Sequence, residues 1–385
     1  MASPLAITPL ASTSPTASTE MSLCRLRAGL SMCAAADDWV IHDPRLWLGK
    51  AYHSLLERVR IEPAETDPER VWDSEMSAAV RLASAHQFDR RYGDPVRWPS
   101  YFLIRQRALS AAASLRSRAG PSDRRFPNGA AGPIRSGTEK KLVARAGKLV
   151  GRPDRFDRTS VTDYKSNLPD PATPFGAEIL ERYRRQIRIY AAIIAEALGF
   201  WPERGIVAGP SGTSVTFDLD PSECDAEADR AVQELGDWNG ALSSARDALQ
   251  FANPSASSCQ NCRFQLVCPA FWNWLGTTPG LGRTPGAPVA AAGRLKAVQL
   301  GNDGDLQTVT LSNVISTLPG ACEVSMVTRR SIHGDAFASP PGTDYRIVGA
   351  GLRRDGRLSA EVATVLQPTQ QIPEVLLRTD GVAHD

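Results

Sequence analysis

The sequence predicts an α/β chain followed by a smaller all-β unit, and three observations predict it. Apolar residues alternate through KKLVARAGKLVGRPDRFDRTSVTDYKS, residues 140–166, with the period of an antiparallel hairpin or meander. On either side of it apolar residues recur at helical spacing. Beyond a Gly/Pro/Ala stretch at 276–290, five short runs rich in β-branched residues follow one another with no helical pattern between them.

In chain order, residues 1–21 are rich in Ser, Thr and Ala. They lack the Arg of a transit peptide and the long apolar run of a secretion signal, and are expected to lead as strand or loop into the first helix. Trp47, Ala51, Leu55, Leu56 and Val59 form a helical stripe. Residues 72–87 and 100–118 read as helices separated by Pro95 and Pro99, and a Gly/Pro/Arg loop at 119–137 precedes the meander. Phe175–Leu198 reads as a long amphipathic helix, Gly205–Leu219 as one further strand, and Ser222 to about Ala248 as an acidic helix. After the linker come GRLKAVQL, LQTVTL, CEVSMVTRR, YRIVGAGL and LSAEVATVL, punctuated by the turn sequences Asn302-Asp303-Gly304 and Asp355-Gly356. Five strands in residues 291–371 suggest a small barrel or sandwich, with a five-stranded OB-like barrel as the candidate. Residues 372–385 are expected to fray, so the cut falls into 1–275, a 276–290 linker, 291–371 and a tail.

Composition narrows the function. The chain has 385 residues, 42% hydrophobic and 22% charged, a globular balance that excludes wholesale disorder and small disulfide scaffolds. A net charge of +2 from 44 basic and 42 acidic residues gives no global attraction to nucleic acid. Locally the balance differs. From Arg81 to Arg135 there are eleven Arg against three acids, interleaved with Phe88, Tyr92, Trp98, Tyr101, Phe102 and Phe126. That composition suits phosphate contact with base stacking; it equally suits core aromatics beneath a solvated Arg face. No apolar run is long enough to span a bilayer, so no membrane is expected and the chain is read as cytoplasmic.

Chemistry concentrates in GRPDRFDRTSVTDYKS, residues 151–166. On a strand over 159–165, Val161, Asp163 and Lys165 share one face. A hairpin sets Asp154 beside Asp163, and two close carboxylates repel unless a hard divalent cation lies between them. Lys165 in the same pocket is suited to stabilising charge on a phosphate in transition or to orienting the attacking water. Only six of the 44 basic residues are Lys, which sets Lys165 apart.

These residues resemble the PD-(D/E)xK nuclease superfamily in its RecB-like, exonuclease V-like branch. Gly151 to Asp154 looks like the family's GxxD segment and Asp163-Tyr164-Lys165 like its DYK segment. Gly49 to His53 resembles the G-x-x-x-H helix, and Gln186 to Tyr190 the Q-x-x-x-Y motif, all in family order. The resemblance implies a restriction-endonuclease-like mixed sheet flanked by helices. It also implies Mg²⁺ or Mn²⁺ held by His53, Asp154, Asp163 and the Tyr164 carbonyl, with Lys165 as the catalytic cation, and Gln186 and Tyr190 bracing the site and the DNA.

Of seven cysteines, Cys259, Cys262 and Cys268 crowd into ten residues as C-x₂-C-x₅-C, which supplies three thiolates to one centre. The resemblance implies a [4Fe–4S] cluster whose fourth thiolate lies far upstream. Cys24 resembles that position, although Arg25 stands where the family usually has Pro, and Cys33 is the fallback. A Cys₄ zinc site is the chemical alternative. Cys224 and Cys322 are expected to be ordinary buried thiols.

The leading expectation is therefore a metal-dependent DNA nuclease, acting on single strands or ends in repair, recombination or defence, with an iron–sulfur staple and a strand-binding β unit. The other class is a non-catalytic or partner-dependent DNA-binding subunit of a helicase–nuclease or defence complex. The sequence has no G-x-x-x-x-G-K-[ST] loop, so a motor would come from a partner chain. Action on RNA stays open, because carboxylates and a lysine serve any phosphodiester.

Overall fold

The structure, a computed structural model, describes residues 3–62, 65–118, 136–138, 140–165, 168–209, 213–260, 262–278, 287–334 and 337–377. A short strand, β1 (Leu5–Ile7), leads to two helices the sequence pattern does not announce, α1 (Pro15–Leu23) and α2 (Arg25–Ser31). The reason for α1 is local: it buries Ser18 and Thr19 as well as Met21. Their hydroxyls donate to Glu234 Oε2 at 2.7 Å and to the Pro15 carbonyl at 2.9 Å. Buried polar groups so satisfied leave no apolar stripe to read.

Three longer helices follow, α3 (Pro44–Ile61), α4 (Pro68–Ala85) and α5 (Tyr101–Arg118). The first two begin on proline behind an Asp cap, Asp43 accepting from Arg45 N and Asp67 from Glu69 N. The three helices enclose one core around Leu48, Leu55, Trp72, Tyr92 and Trp98.

The central layer is built from β2 (Ser136–Thr138), the small hairpin β3 (Leu142–Ala144) and β4 (Leu149–Gly151), then β5 (Arg155–Asp157) and β6 (Ser160–Tyr164). Helix α6 (Pro174–Leu198) connects to β7 (Arg204–Ala208) and β8 (Ser214–Asp218), and α7 (Pro221–Ser244) packs on α6. The sheet order is β2-β5-β6-β7-β8. Within it β6 and β7 are parallel and the other neighbours antiparallel. A parallel pair needs a long crossover, and α6 is that crossover, laying Ile187, Ala191 and Ile194 over Val161 and Val207. The layer is thus the expected mixed sheet flanked by helices. The single strand expected at 205–219 is two. β7 ends at Ala208 and β8 begins at Ser214, and residues 210–212 between them lie outside the described residues.

A one-turn helix α8 (Ala256–Cys259) and α9 (Pro269–Thr277) carry the cysteine region. Most of the anticipated linker, 279–286, lies outside the described residues, and its first residues belong to α9. The β-rich part comprises β9 (Val289–Leu300), β10 (Leu306–Ser316), β11 (Glu323–Arg329), a turn of helix α10 (Arg330–His333), β12 (Asp344–Leu352), β13 (Leu358–Ser359) and β14 (Val365–Pro368). β9 pairs with β10, β10 with β11, β11 with β13, β13 with β12 and β12 with β9, so five strands close into a ring. Only β11 and β13 run parallel within that ring. The fifth predicted run divides between β13 and β14. Thr364 turns the chain there, its Oγ1 accepting from Glu361 N at 2.9 Å and donating to Gly349 O at 3.0 Å. Gly349 permits this approach: its φ is +77°, and a Cβ would lie 2.7 Å from the Ala363 carbonyl.

The barrel does not stand apart. Ala290, Val348 and Val365 share a core with Leu26, Leu30, Phe264 and Phe271. Nor do residues 372–377 fray: β15 (Val375–Leu377) pairs in parallel with β1, Leu5 opposite Val375. Both Leu5 and Ile7 are fully buried there, which is why the edge is worth ordering. The end of the expected tail, 378–385, lies outside the described residues.

Candidate active site and cysteine cradle

The loop before β5 and the end of β6 bring the carboxylates together. Arg155 pairs with Thr162 and Phe156 with Val161, and one further step of that register sets Asp154 opposite Asp163. Asp154 Oδ2 accepts a hydrogen bond from the Tyr164 amide at 2.6 Å, locking the loop to the strand. Gly151 sits where β4 passes under α6; a Cβ would lie 2.8 Å from Ile193 Cδ1 and 3.0 Å from Tyr190 Cε1. Tyr190 is therefore buried against the start of the Gly151–Asp154 segment, in the core of the layer.

Lys165 continues the β6–β7 ladder by one bond, donating its amide to Ala208 O at 2.8 Å. Its ammonium lies 2.5 Å from Asp163 Oδ2 and donates to Gln186 Oε1 at 2.9 Å, above the Tyr183 ring. Asp163 is only 6% exposed, and its Oδ2 makes the ion pair without a directed hydrogen bond, so the oxygen keeps ligating capacity. His53 comes from α3 and stacks on Tyr164 with ring centroids 4.8 Å apart. Burial lowers its pKa to about 4, leaving a neutral imidazole with a lone pair to offer. The strand end thus gathers two carboxylates with a neutral imidazole nearby, groups of the kind a hard divalent cation takes, although among the described residues His53, Asp154 and Asp163 are not a group whose ligand atoms all lie within 4.8 Å.

Among the cysteines, Cys24, Cys259, Cys262 and Cys268 line one small enclosed void of about 20 Å³, and Cys33 is not in its wall. Burial pushes Cys262 up to about 11 and Cys268 to about 12, and raises Cys259. The positive charge of Arg27 opposes that rise at Cys259 and Cys262. Thiols this reluctant to ionise alone are natural ligands, because a metal centre supplies the charge that deprotonates them. Cys224 is buried as expected, but Cys322 is exposed, lying outside the barrel wall at the β10–β11 turn.

The Arg-rich segment divides. Phe88, Tyr92 and Trp98 are core, which removes them as stacking platforms, whereas Phe102 is 66% exposed. Arg91 is tied to the carbonyls of Phe88 and Val362. Arg90, Arg91 and Arg97 face Arg330 and Gln367 across a cleft of about 1050 Å³ between helical layer and barrel. Arg124, Arg125, Arg135 and Phe126 lie outside the described residues.

One constellation escaped the sequence. Among the described residues, His42, His86 and Asp89 are the group of three whose ligand atoms all lie within 4.8 Å of one another. The only sequence-level signal was the spacing of His86 and Asp89, which by itself says nothing.

A mixed sheet whose central strand ends in a buried carboxylate and a lysine, with a second carboxylate on the adjoining loop, defines a class of metal-dependent phosphodiesterase. A family model described as the PD-(D/E)XK nuclease superfamily matches residues 12–269, and the chain belongs to that superfamily. The match covers α1 through the start of α9 and stops before the barrel. No curated protein matches the chain. No described helix is long and apolar enough to cross a membrane.

Proposed function

We propose that the chain is a Mg²⁺- or Mn²⁺-dependent deoxyribonuclease that acts on single-stranded DNA or DNA ends. The observation that carries this is Lys165 Nζ, held between Asp163 Oδ2 and Gln186 Oε1 at the strand end. His53, Asp154, Asp163 and the Tyr164 carbonyl would hold the cation. When bound, it supplies Lewis-acid polarisation and a water of lowered pKa. Lys165 brings a fixed positive charge to the side of the pocket where phosphate charge builds, and Gln186 fixes its direction. Tyr190 supports Gly151 from beneath and so positions Asp154.

The same reading gives the four cysteines a [4Fe–4S] cluster, tying α2 to the α8–α9 segment. A Cys₄ zinc site would use the same four thiolates, and iron and sulfide content separates the two. The ring order β9-β10-β11-β13-β12, with the helical turn α10 between β11 and β12 in the chain, supports an OB-like barrel, and the Arg-lined cleft beside it would guide the strand.

The test is cleavage of end-labelled single-stranded, blunt and flapped DNA, with a circular control, by wild type, Asp163→Ala and Lys165→Ala in Mg²⁺ or Mn²⁺. Wild type should cut linear DNA and both variants should fail. Equal cleavage by all three, or none by the wild type with either ion, rejects the proposal.

A further inference from the structure

We propose that His42, His86 and Asp89 form a second metal site, for Zn²⁺ or a similar borderline transition ion, distinct in chemistry and position from the carboxylate–lysine pocket. His42 stands just before α3, and His86 and Asp89 lie on the segment that follows α4. Both imidazoles turn Nδ1 to the same oxygen, His42 at 2.5 Å and His86 at 3.0 Å from Asp89 Oδ2. Asp89 is 1% exposed, and its other oxygen, Oδ1, is buried with no hydrogen-bond partner. A buried carboxylate with an unsatisfied oxygen is costly unless a cation compensates it.

The surroundings of His86 point the same way. Its Nε2 lies 2.9 Å from the Asp37 carbonyl, which can only accept, so Nε2 carries the proton. Its Nδ1 lies 3.0 Å from Asp89 Oδ2 and 3.3 Å from the Phe88 amide nitrogen, facing into the cluster. An imidazole that donates one nitrogen to a backbone carbonyl and offers the other inward is the ordinary outer support of a metal ligand. Two imidazoles and a carboxylate suit zinc, with one tetrahedral position left for solvent. Ligand bonds of about 2.0–2.1 Å place the donors on the order of 3.3 Å apart, so the present spacings need only small side-chain shifts. The ion would clasp the entry to α3, the helix that carries His53, to the end of α4.

The full chain, stripped with chelator and titrated with Zn²⁺ or Co²⁺ alone, tests this. Wild type should bind one more equivalent of zinc than His42→Ala/His86→Ala, with a rise in Tm that the double variant lacks. Its Co²⁺ form should show d–d bands without thiolate charge transfer, which separates this site from the cysteines. Equal zinc content in the two proteins, or cobalt bands that all carry thiolate charge transfer, overturns the proposal. Should the double variant fail to fold, X-ray absorption of the zinc-loaded wild type decides: a shell of imidazole nitrogen and carboxylate oxygen supports the site, and a sulfur-only shell rejects it.

Discussion

Gln186 Oε1 accepts a hydrogen bond from Lys165 Nζ at 2.9 Å, across the gap between α6 and the end of β6. Gln186 is 7% exposed, so its amide is held by packing as well as by the bond. Its expected part is to position the ammonium, not to touch the phosphate. Gln186→Met should lower kcat by about tenfold with KM unchanged, against a loss of about 10² to 10³ for Lys165→Met. Single-turnover cleavage of labelled single-stranded DNA measures both; a KM effect alone would assign Gln186 to strand binding instead.

Acid should destabilise the fold through two histidines. Burial lowers His53 and His333 to about 4, with the Arg91 charge adding to the effect at His333. Between about pH 6.5 and 4 the unfolded chain binds protons at these positions and the folded chain does not. Stability is therefore full above about 6.5 and is lost progressively as pH falls toward 4. Each histidine costs at most about 2 kcal/mol at pH 5. Thermal melts at pH 7 and pH 5 should show the drop in Tm, and His333→Gln should make it smaller.

Cys24 and Cys33 should separate cleanly. Only Cys24 lines the void shared with Cys259, Cys262 and Cys268. Anaerobically purified Cys33→Ser should keep its iron, sulfide and visible absorption, whereas Cys24→Ser should lose them. A colourless wild type holding zinc would replace the cluster with a Cys₄ zinc site.

Gly151→Ala should harm stability and cleavage together. The added methyl meets Ile193 and Tyr190 in a filled layer, at a cost of about 1–3 kcal/mol. Because Asp154 follows three residues later, the displaced strand also moves a carboxylate. Urea unfolding beside the cleavage assay reads both effects.

The meeting of Asp163, Lys165 and Gln186 at one strand end was legible because its rules are local. Alternation along a strand puts Asp163 and Lys165 on one face, a hairpin returns Asp154, and helical spacing pairs Gln186 with Tyr190. Features decided by distant partners were not legible. Helix α1 hides its buried face in Ser18 and Thr19, whose partners include Glu234. Tyr92 and Trp98 looked as fit for base stacking as for a core until α3 supplied the core around them. His42 and Asp89 carry no common motif, and only the packing of α3 on the segment after α4 brings them into contact.

The pairing of Leu5–Ile7 with Val375–Leu377 bears on the order of biosynthesis. A ribosome delivers β1 long before β15, so Leu5 and Ile7 emerge without the strand that completes their shelter. Closure of that ladder must come late, after the barrel has been made, and until then the nascent chain presents a sticky edge that a chaperone would be suited to cover.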